Sequence, residues 1–177
     1  MTARTLPEKI VAVHDALVEV PHAFGGALAL AYYAEPRATI DIDLNVFAPP
    51  RHAAAVLEVL GPLGVHGSIA LAPADGQVRL WWGNNPVDLF FSYDRFHNAA
   101  AKAVRSVPFA DTTIPILSAN HLVVFKTVYD RPKDWVDIEA VREAGTDLDI
   151  AEILRWIGRL CGDTDPRYDR IVAVLVG

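Results

Sequence analysis

Thr39-Ile40-Asp41-Ile42-Asp43-Leu44-Asn45-Val46 sets two carboxylates two residues apart in a strand-like, largely apolar run. Successive strand residues point to opposite faces, so Asp41 and Asp43 share one face and Ile40, Ile42 and Leu44 the other. Two like charges on a half-buried strand repel each other and cost desolvation energy. A hard divalent cation relieves both problems, and Mg²⁺ favours a few carboxylates together with substrate phosphates. Gly25-Gly26 lies upstream, ahead of a short apolar helical pattern, where bare backbone N–H groups can approach a phosphate. The structural alternatives are a solvated strand face with incidental acids and a plain turn of two glycines.

The 177 residues suffice for one domain with a helical appendage, and a 52 % hydrophobic composition supplies a core. One cysteine, Cys161, allows neither an internal disulfide nor a cysteine-rich zinc site. The formal charge of −6 argues against a nucleic-acid-coating protein but leaves room for an enzyme that grips nucleic acid locally. The N-terminal Met1-Thr2-Ala3-Arg4-Thr5 carries no apolar signal region, and no run reaches the roughly 18 apolar residues of a membrane span. The expectation is a soluble, cytoplasmic, monomeric protein that does not engage a membrane.

Periodicity predicts helices over 6–20, 27–34, 51–60 and 96–104, and strands over 39–46, 77–82 and 87–92. Residues 21–24 read as a connector or short strand, 107–109 and 113–117 as edge strands. Gly61, Pro62, Gly64, Gly67, Pro73 and Gly76 mark a loop-rich middle, and Gly83-Asn84-Asn85-Pro86 a hairpin turn. From Ser118, a candidate N-cap, the pattern becomes wholly helical: 119–129, 132–144, 150–160 and 167–176.

Asp88 falls within the strand Val87-Asp88-Leu89-Phe90-Phe91, a candidate third carboxylate beside Asp41 and Asp43. Three carboxylates on adjacent strands suit two-metal phosphoryl transfer. Lys126 interrupts the apolar helix Leu122-Val123-Val124-Phe125-Lys126-Thr127, where it must snorkel or meet an anion. That anion is a triphosphate on a functional reading and Asp137, eleven residues on, on a structural one. Trp81-Trp82 and Phe90-Phe91 read as packing. The histidines lack metal-ligand spacing, and no Walker-type loop is present.

Phe24-Gly25-Gly26, Arg37-Ala38-Thr39-Ile40-Asp41-Ile42-Asp43-Leu44, Lys126 and Arg131-Pro132-Lys133-Asp134-Trp135-Val136-Asp137-Ile138 together resemble the AbiEii/MenT-type toxins of bacterial toxin–antitoxin systems. These are members of the DNA polymerase β-like nucleotidyltransferase superfamily. The resemblance spans about residues 21–144 and implies an α+β protein: a minimal nucleotidyltransferase fold, with a small mixed sheet flanked by helices over 1–117, then a C-terminal helical bundle over 118–177 completing the active-site cleft.

It further implies that Asp41, Asp43, Lys126 and Asp137 are catalytic. Gly25, Gly26, Arg37, Thr39 and Lys126 would bind nucleotide, and Asp41, Asp43 and Asp88 would hold Mg²⁺, with Mn²⁺ as a substitute. Gly26 is followed by Ala27, where many superfamily members have Gly-Ser, so one hydroxyl contact is missing. The implied reaction moves a nucleoside monophosphate, pyrimidines preferred, from an NTP to the 3′ end of tRNA and blocks aminoacylation. Arg37, Lys102, Arg131 or Lys133 would hold the acceptor arm. A cognate, kinase-like antitoxin is the implied partner, and Thr39, two residues before Asp41, is the candidate phosphorylation site. The rival readings are a small-molecule nucleotidyltransferase of the aminoglycoside-modifying type and a catalytically inactive module that uses the fold only for binding.

Overall fold

The computed structural model describes residues 4–68 and 76–177. The loop marker Pro73 and the first three residues of the N-terminal reading lie outside them. Two compact units emerge, one of residues 1–28 and 38–117 and one of residues 29–37 and 118–177. Residues 29–37 thus group with the C-terminal helices rather than with the α/β part.

The first unit holds a six-stranded mixed sheet. Its strands are β1 (His22–Phe24), β2 (Ile42–Val46), β3 (Gln77–Trp82), β4 (Asn85–Phe91), β5 (Arg105–Phe109) and β6 (Thr112–Ile116), in the order β3-β4-β2-β1-β6-β5. β2 runs parallel to β4 and antiparallel to β1, β1 parallel to β6, and the β3–β4 and β5–β6 pairs are antiparallel. Helices α1 (Leu6–Ala16), α3 (Ala53–Leu60) and α4 (Arg95–Lys102) lie in the same unit, and α2 (Gly26–Leu30) starts in it, its last two residues grouping with the second. Phe24, Leu44, Leu80, Leu89, Phe91 and Ile114 are fully buried. Each such side chain contributes roughly 1.5–3 kcal/mol of transfer free energy.

Alternation in Gln77–Trp82 places Val78, Leu80 and Trp82 inside and Arg79 and Trp81 outside. A two-residue Gly83-Asn84 turn, Gly83 at φ 61°, then pairs Trp82 with Asn85 and sets the register of the whole hairpin.

The second unit contains α5 (Ala119–Tyr129), α6 (Pro132–Glu143), α7 (Ile150–Leu160) and α8 (Pro166–Val176), with α5 packing on the other three. The Ser118 hydroxyl accepts from the His121 N–H to start α5, a cap typically worth about 1 kcal/mol. α5 stops at Asp130, which takes a left-handed φ of 55° and accepts the Trp135 indole N–H at 2.7 Å. Trp135, Ile138, Val141, Val123, Ile153, Ile157 and Ile171 form the core of the bundle.

Three elements stop or start at least three residues short of their patterns. α1 ends at Ala16 rather than Val20: the Leu17 and Val18 N–H groups reach back three residues, and Val18 is 70 % exposed. α2 ends at Leu30 rather than Ala34, where the Tyr32 and Tyr33 N–H groups also bond three residues back. β2 begins at Ile42 rather than Thr39, and Ile40 is 61 % exposed instead of packing with Ile42 and Leu44. Among the described residues no helix is long and apolar enough to cross a membrane.

Candidate active site

In the first unit the parallel register of β2 and β4 sets Asp43 beside Asp88, and the β3–β4 hairpin sets Arg79 beside Asp88. One row across three strands therefore reads Asp43, Asp88, Arg79 on a single face. Asp88 is buried, and both of its oxygens accept from Arg79: Nε to Oδ1 at 2.7 Å and Nη2 to Oδ2 at 2.6 Å. These bonds raise the pKa of the guanidinium, first through hydrogen bonding and charge from Asp88, then through the charges of Asp41 and Asp43. All three carboxylates are thus within electrostatic reach of one arginine.

Asp41 precedes β2 by one residue, so backbone pairing does not fix it. Two side chains do. The Thr39 hydroxyl accepts from the Asp41 N–H at 3.1 Å, and Asn85 Nδ2 donates to the Ile40 carbonyl at 2.8 Å. Asn85 is anchored in turn by Lys9 Nζ, which donates to its Oδ1 at 2.6 Å and to the Trp82 carbonyl at 2.8 Å. Lys9 and Asn85 are positioning residues to which the sequence reading gave no role in the site, Asn85 being read only as part of the turn 83–86. Arg79 is a third, paired with Asp88 because the turn is two residues long, 83–84.

The glycine pair is packed against this row. The Gly25 N–H donates to the Asp43 carbonyl at 2.9 Å, and a Cβ on Gly25 would come within 2.8 Å of Asn45 Nδ2. Gly26 has φ 52°, and a Cβ there would collide with the Asp43 carboxylate. Only glycine satisfies both the backbone and the space at this position. Asn45, buried two residues beyond Asp43, is a further polar side chain that alternation along β2 could have identified.

The donor set tests which metal these residues suit. Among the described residues no three His, Cys, Asp or Glu side chains are gathered as a ready-made metal cage. Asp43 is an oxygen donor against glycine backbone with no room for a side chain, and Asp41 is a second oxygen donor two residues before it. That set fits a hard cation that brings much of its coordination as substrate phosphate and water, as Mg²⁺ does. Asp88 stands in the row as expected, but it is held by Arg79.

In the second unit Lys126, 4 % exposed, lies between two carboxylates of α6, donating to Asp137 Oδ2 at 2.6 Å and reaching Asp134 Oδ1 at 3.5 Å. Arg37 closes a fork on Asp137 at 2.9 and 3.0 Å, and Arg131 closes one on Asp134 at 2.6 and 3.1 Å. Burial pushes the Asp137 carboxyl up, but the Arg37 and Lys126 hydrogen bonds and charges outweigh it and hold the pKa below the ordinary carboxylate value. Arg37 and Lys126, expected at phosphate oxygens, are thus bound to Asp137. Lys102 and Lys133 are exposed.

A cavity of about 610 Å³ in the first unit is lined by Phe47, Arg51, Tyr93, Asp94, Arg95 and Asn98, among others. It lies past the C-terminal ends of β2 and β4, and none of the sequence-predicted site residues lines it.

No protein-family model and no curated protein matches the chain. Solved structures do. The antibiotic-resistance factor ANT(2'')-Ia aligns with a TM-score of 0.59 at 18 % identity over 96 % of this chain and 92 % of its own. The fold is that of a nucleotidyltransferase. The lincosamide antibiotic adenylyltransferase LnuA, solved with lincomycin, aligns with a TM-score of 0.55 at 15 % identity over 77 % of this chain and 96 % of its own. An antigenic nucleotidyltransferase-like protein from Paracoccidioides brasiliensis aligns at 0.52 and 13 % identity over 95 % and 91 %.

Proposed function

We propose that this nucleotidyltransferase-fold chain is a Mg²⁺-dependent nucleotidyltransferase toxin that adds a nucleoside monophosphate, a pyrimidine by preference, to the 3′ end of tRNA. The observation that carries the catalytic part is the packing of Gly26 against Asp43 within the Asp43–Asp88–Arg79 row. It joins a bare backbone suited to phosphate with carboxylates suited to a hard cation.

In this reading Asp41 and Asp43 hold the cation, which when bound neutralises charge on the triphosphate. Gly25 and Gly26 leave room for the phosphates. Thr39 and Asn85 hold Asp41 at the entry to β2. The tRNA 3′ hydroxyl attacks the α-phosphorus, its proton leaves to solvent or a carboxylate, and the bond to pyrophosphate breaks. Positioning and charge stabilisation supply most of the acceleration. Lys126 and Asp137, catalytic in this reading, belong to the second unit, where Arg37 and Asp134 hold them.

Regulation by a kinase-like antitoxin follows from Thr39. A phosphate there adds nearly two negative charges two residues from Asp41 and alters the hydroxyl that accepts the Asp41 N–H. Coexpression with the antitoxin, followed by mass spectrometry of the peptide containing Thr39, tests it. An unmodified Thr39 in a neutralised toxin would contradict this switch.

A second reading takes its acceptor from the solved neighbours, whose descriptions name adenylyl-2''-tobramycin with ANT(2'')-Ia and lincomycin with LnuA. In it the acceptor is a small antibiotic hydroxyl. Incubation with labelled NTPs, total RNA, an aminoglycoside and a lincosamide separates the two. A Mg²⁺-dependent label on tRNA is expected; label on an antibiotic alone supports the second reading, and no label at all supports an inactive binding module.

A further inference from the structure

Asp88 belongs to β4, an inner strand of the sheet, and its buried carboxylate has both oxygens engaged by Arg79. Arg79 belongs to β3, the edge strand, and its side chain is 55 % exposed. The two partners differ in freedom. Asp88 is fixed by pairing on both sides, whereas a long arginine stem at an exposed edge can swing without disturbing the sheet. As long as the fork is closed, each Asp88 oxygen already accepts from the guanidinium, and a cation there would sit against its positive charge. The charges of Asp41 and Asp43 draw the same guanidinium, so Arg79 compensates the entire acidic row.

We propose that Arg79 is the resident counter-cation of the carboxylate row and exchanges partners when a metal–nucleotide complex arrives. Asp88 then turns to the cation, and the released guanidinium turns to a phosphate oxygen. The proposal rests on the nucleotidyltransferase reading above. Two consequences follow. In the absence of nucleotide, Arg79 competes with a divalent cation and weakens its binding. Nucleotide, by accepting the guanidinium, removes that competition, so metal and nucleotide strengthen one another's binding by an equal factor. Arg79 is thereby a gate that favours the loaded complex over the bare ion.

The test is Mn²⁺ binding to the full chain, followed by the electron paramagnetic resonance of the free ion, with and without α,β-methylene-CTP. In the wild-type protein the analogue tightens Mn²⁺ binding beyond the Mn²⁺ that the analogue chelates without protein. Arg79→Gln is expected to bind Mn²⁺ alone roughly three- to tenfold more tightly than wild type, with a smaller further gain from the analogue. An Arg79→Gln protein that binds Mn²⁺ alone no more tightly than wild type would overturn the proposal. Should loss of the ion pair prevent that variant from folding, Arg79→Lys decides, since it keeps the charge but opens the two-oxygen fork: a smaller gain supports the exchange, and no gain overturns it. Asp41→Asn separates the two levels of the argument. Its loss of Mn²⁺ binding supports the metal reading, while unchanged binding overturns that reading whatever Arg79 does.

Discussion

Asp43 and Asp88, 45 positions apart in sequence, are register partners on the parallel strands β2 and β4. Parallel neighbours place equivalent residues on one face, so this pairing converts a local Asp-x-Asp pattern into a row of acids. The row tolerates its own repulsion because Arg79 closes on its buried member.

Gly26→Ala should damage the site from the backbone outward. The residue sits at φ 52°, and its new methyl would meet the Asp43 carboxylate. The left-handed conformation alone costs roughly 1 kcal/mol for a non-glycine residue, and displacement of Asp43 adds to it. Thermal unfolding should show a modest loss of stability. Transfer from labelled NTP should fall at least about tenfold, as expected for a misplaced catalytic group.

Lys126→Met should destabilise the helical unit strongly. It removes the buried cation between Asp134 and Asp137 while each carboxylate keeps one arginine fork. Breaking a buried pair costs about 3–5 kcal/mol, and the remaining forks place this case near 3. Urea denaturation measures it; a change below about 1 kcal/mol would mean that Lys126 is not a structural cation at all.

The lowered Asp137 pKa makes a prediction about acid. An aspartate with a depressed folded pKa stabilises the protein fully above its unfolded value of about 3.9, and that stability disappears as pH falls through the folded pKa. Arg37 is one cause of the depression, so Arg37→Gln brings the two pKa values closer. The variant should lose stability at neutral pH and show a shallower loss over the acid limb. Tryptophan fluorescence during acid titration, with Trp135 two residues from Asp137, reports the transition.

The helical half was readable because its ends carry local chemistry. Ser118, read as an N-cap, does cap α5; Asp149 caps α7 in the same way, a signal the sequence reading did not use. The β3–β4 hairpin was readable from alternation, but its turn is Gly83-Asn84 alone rather than 83–86, and that two-residue shift is what brings Arg79 opposite Asp88. The start of β2 was not. By the register of Ile42 with Val87, Ile40 falls opposite Asn85, whose side-chain amide takes the Ile40 carbonyl in place of a backbone ladder. Alternation of side chains carries no record of that substitution. The pairing of Arg37 with Asp137 spans 100 positions, so its charges read equally well as a phosphate contact. Lys126 was legible as a buried lysine in need of an anion, but only the packing of α5 on α6 shows that two carboxylates supply it.

The central claim, that Asp41 and Asp43 gather a divalent cation around an NTP, is tested most directly by the rate of labelled nucleotide transfer as Mg²⁺ is titrated, in wild type and Asp43→Asn, with thermal unfolding measured alongside. The account predicts transfer that requires Mg²⁺ and drops at least about a hundredfold in Asp43→Asn while the variant stays folded. Transfer that persists in excess chelator, or an Asp43→Asn protein as fast as wild type, would contradict it.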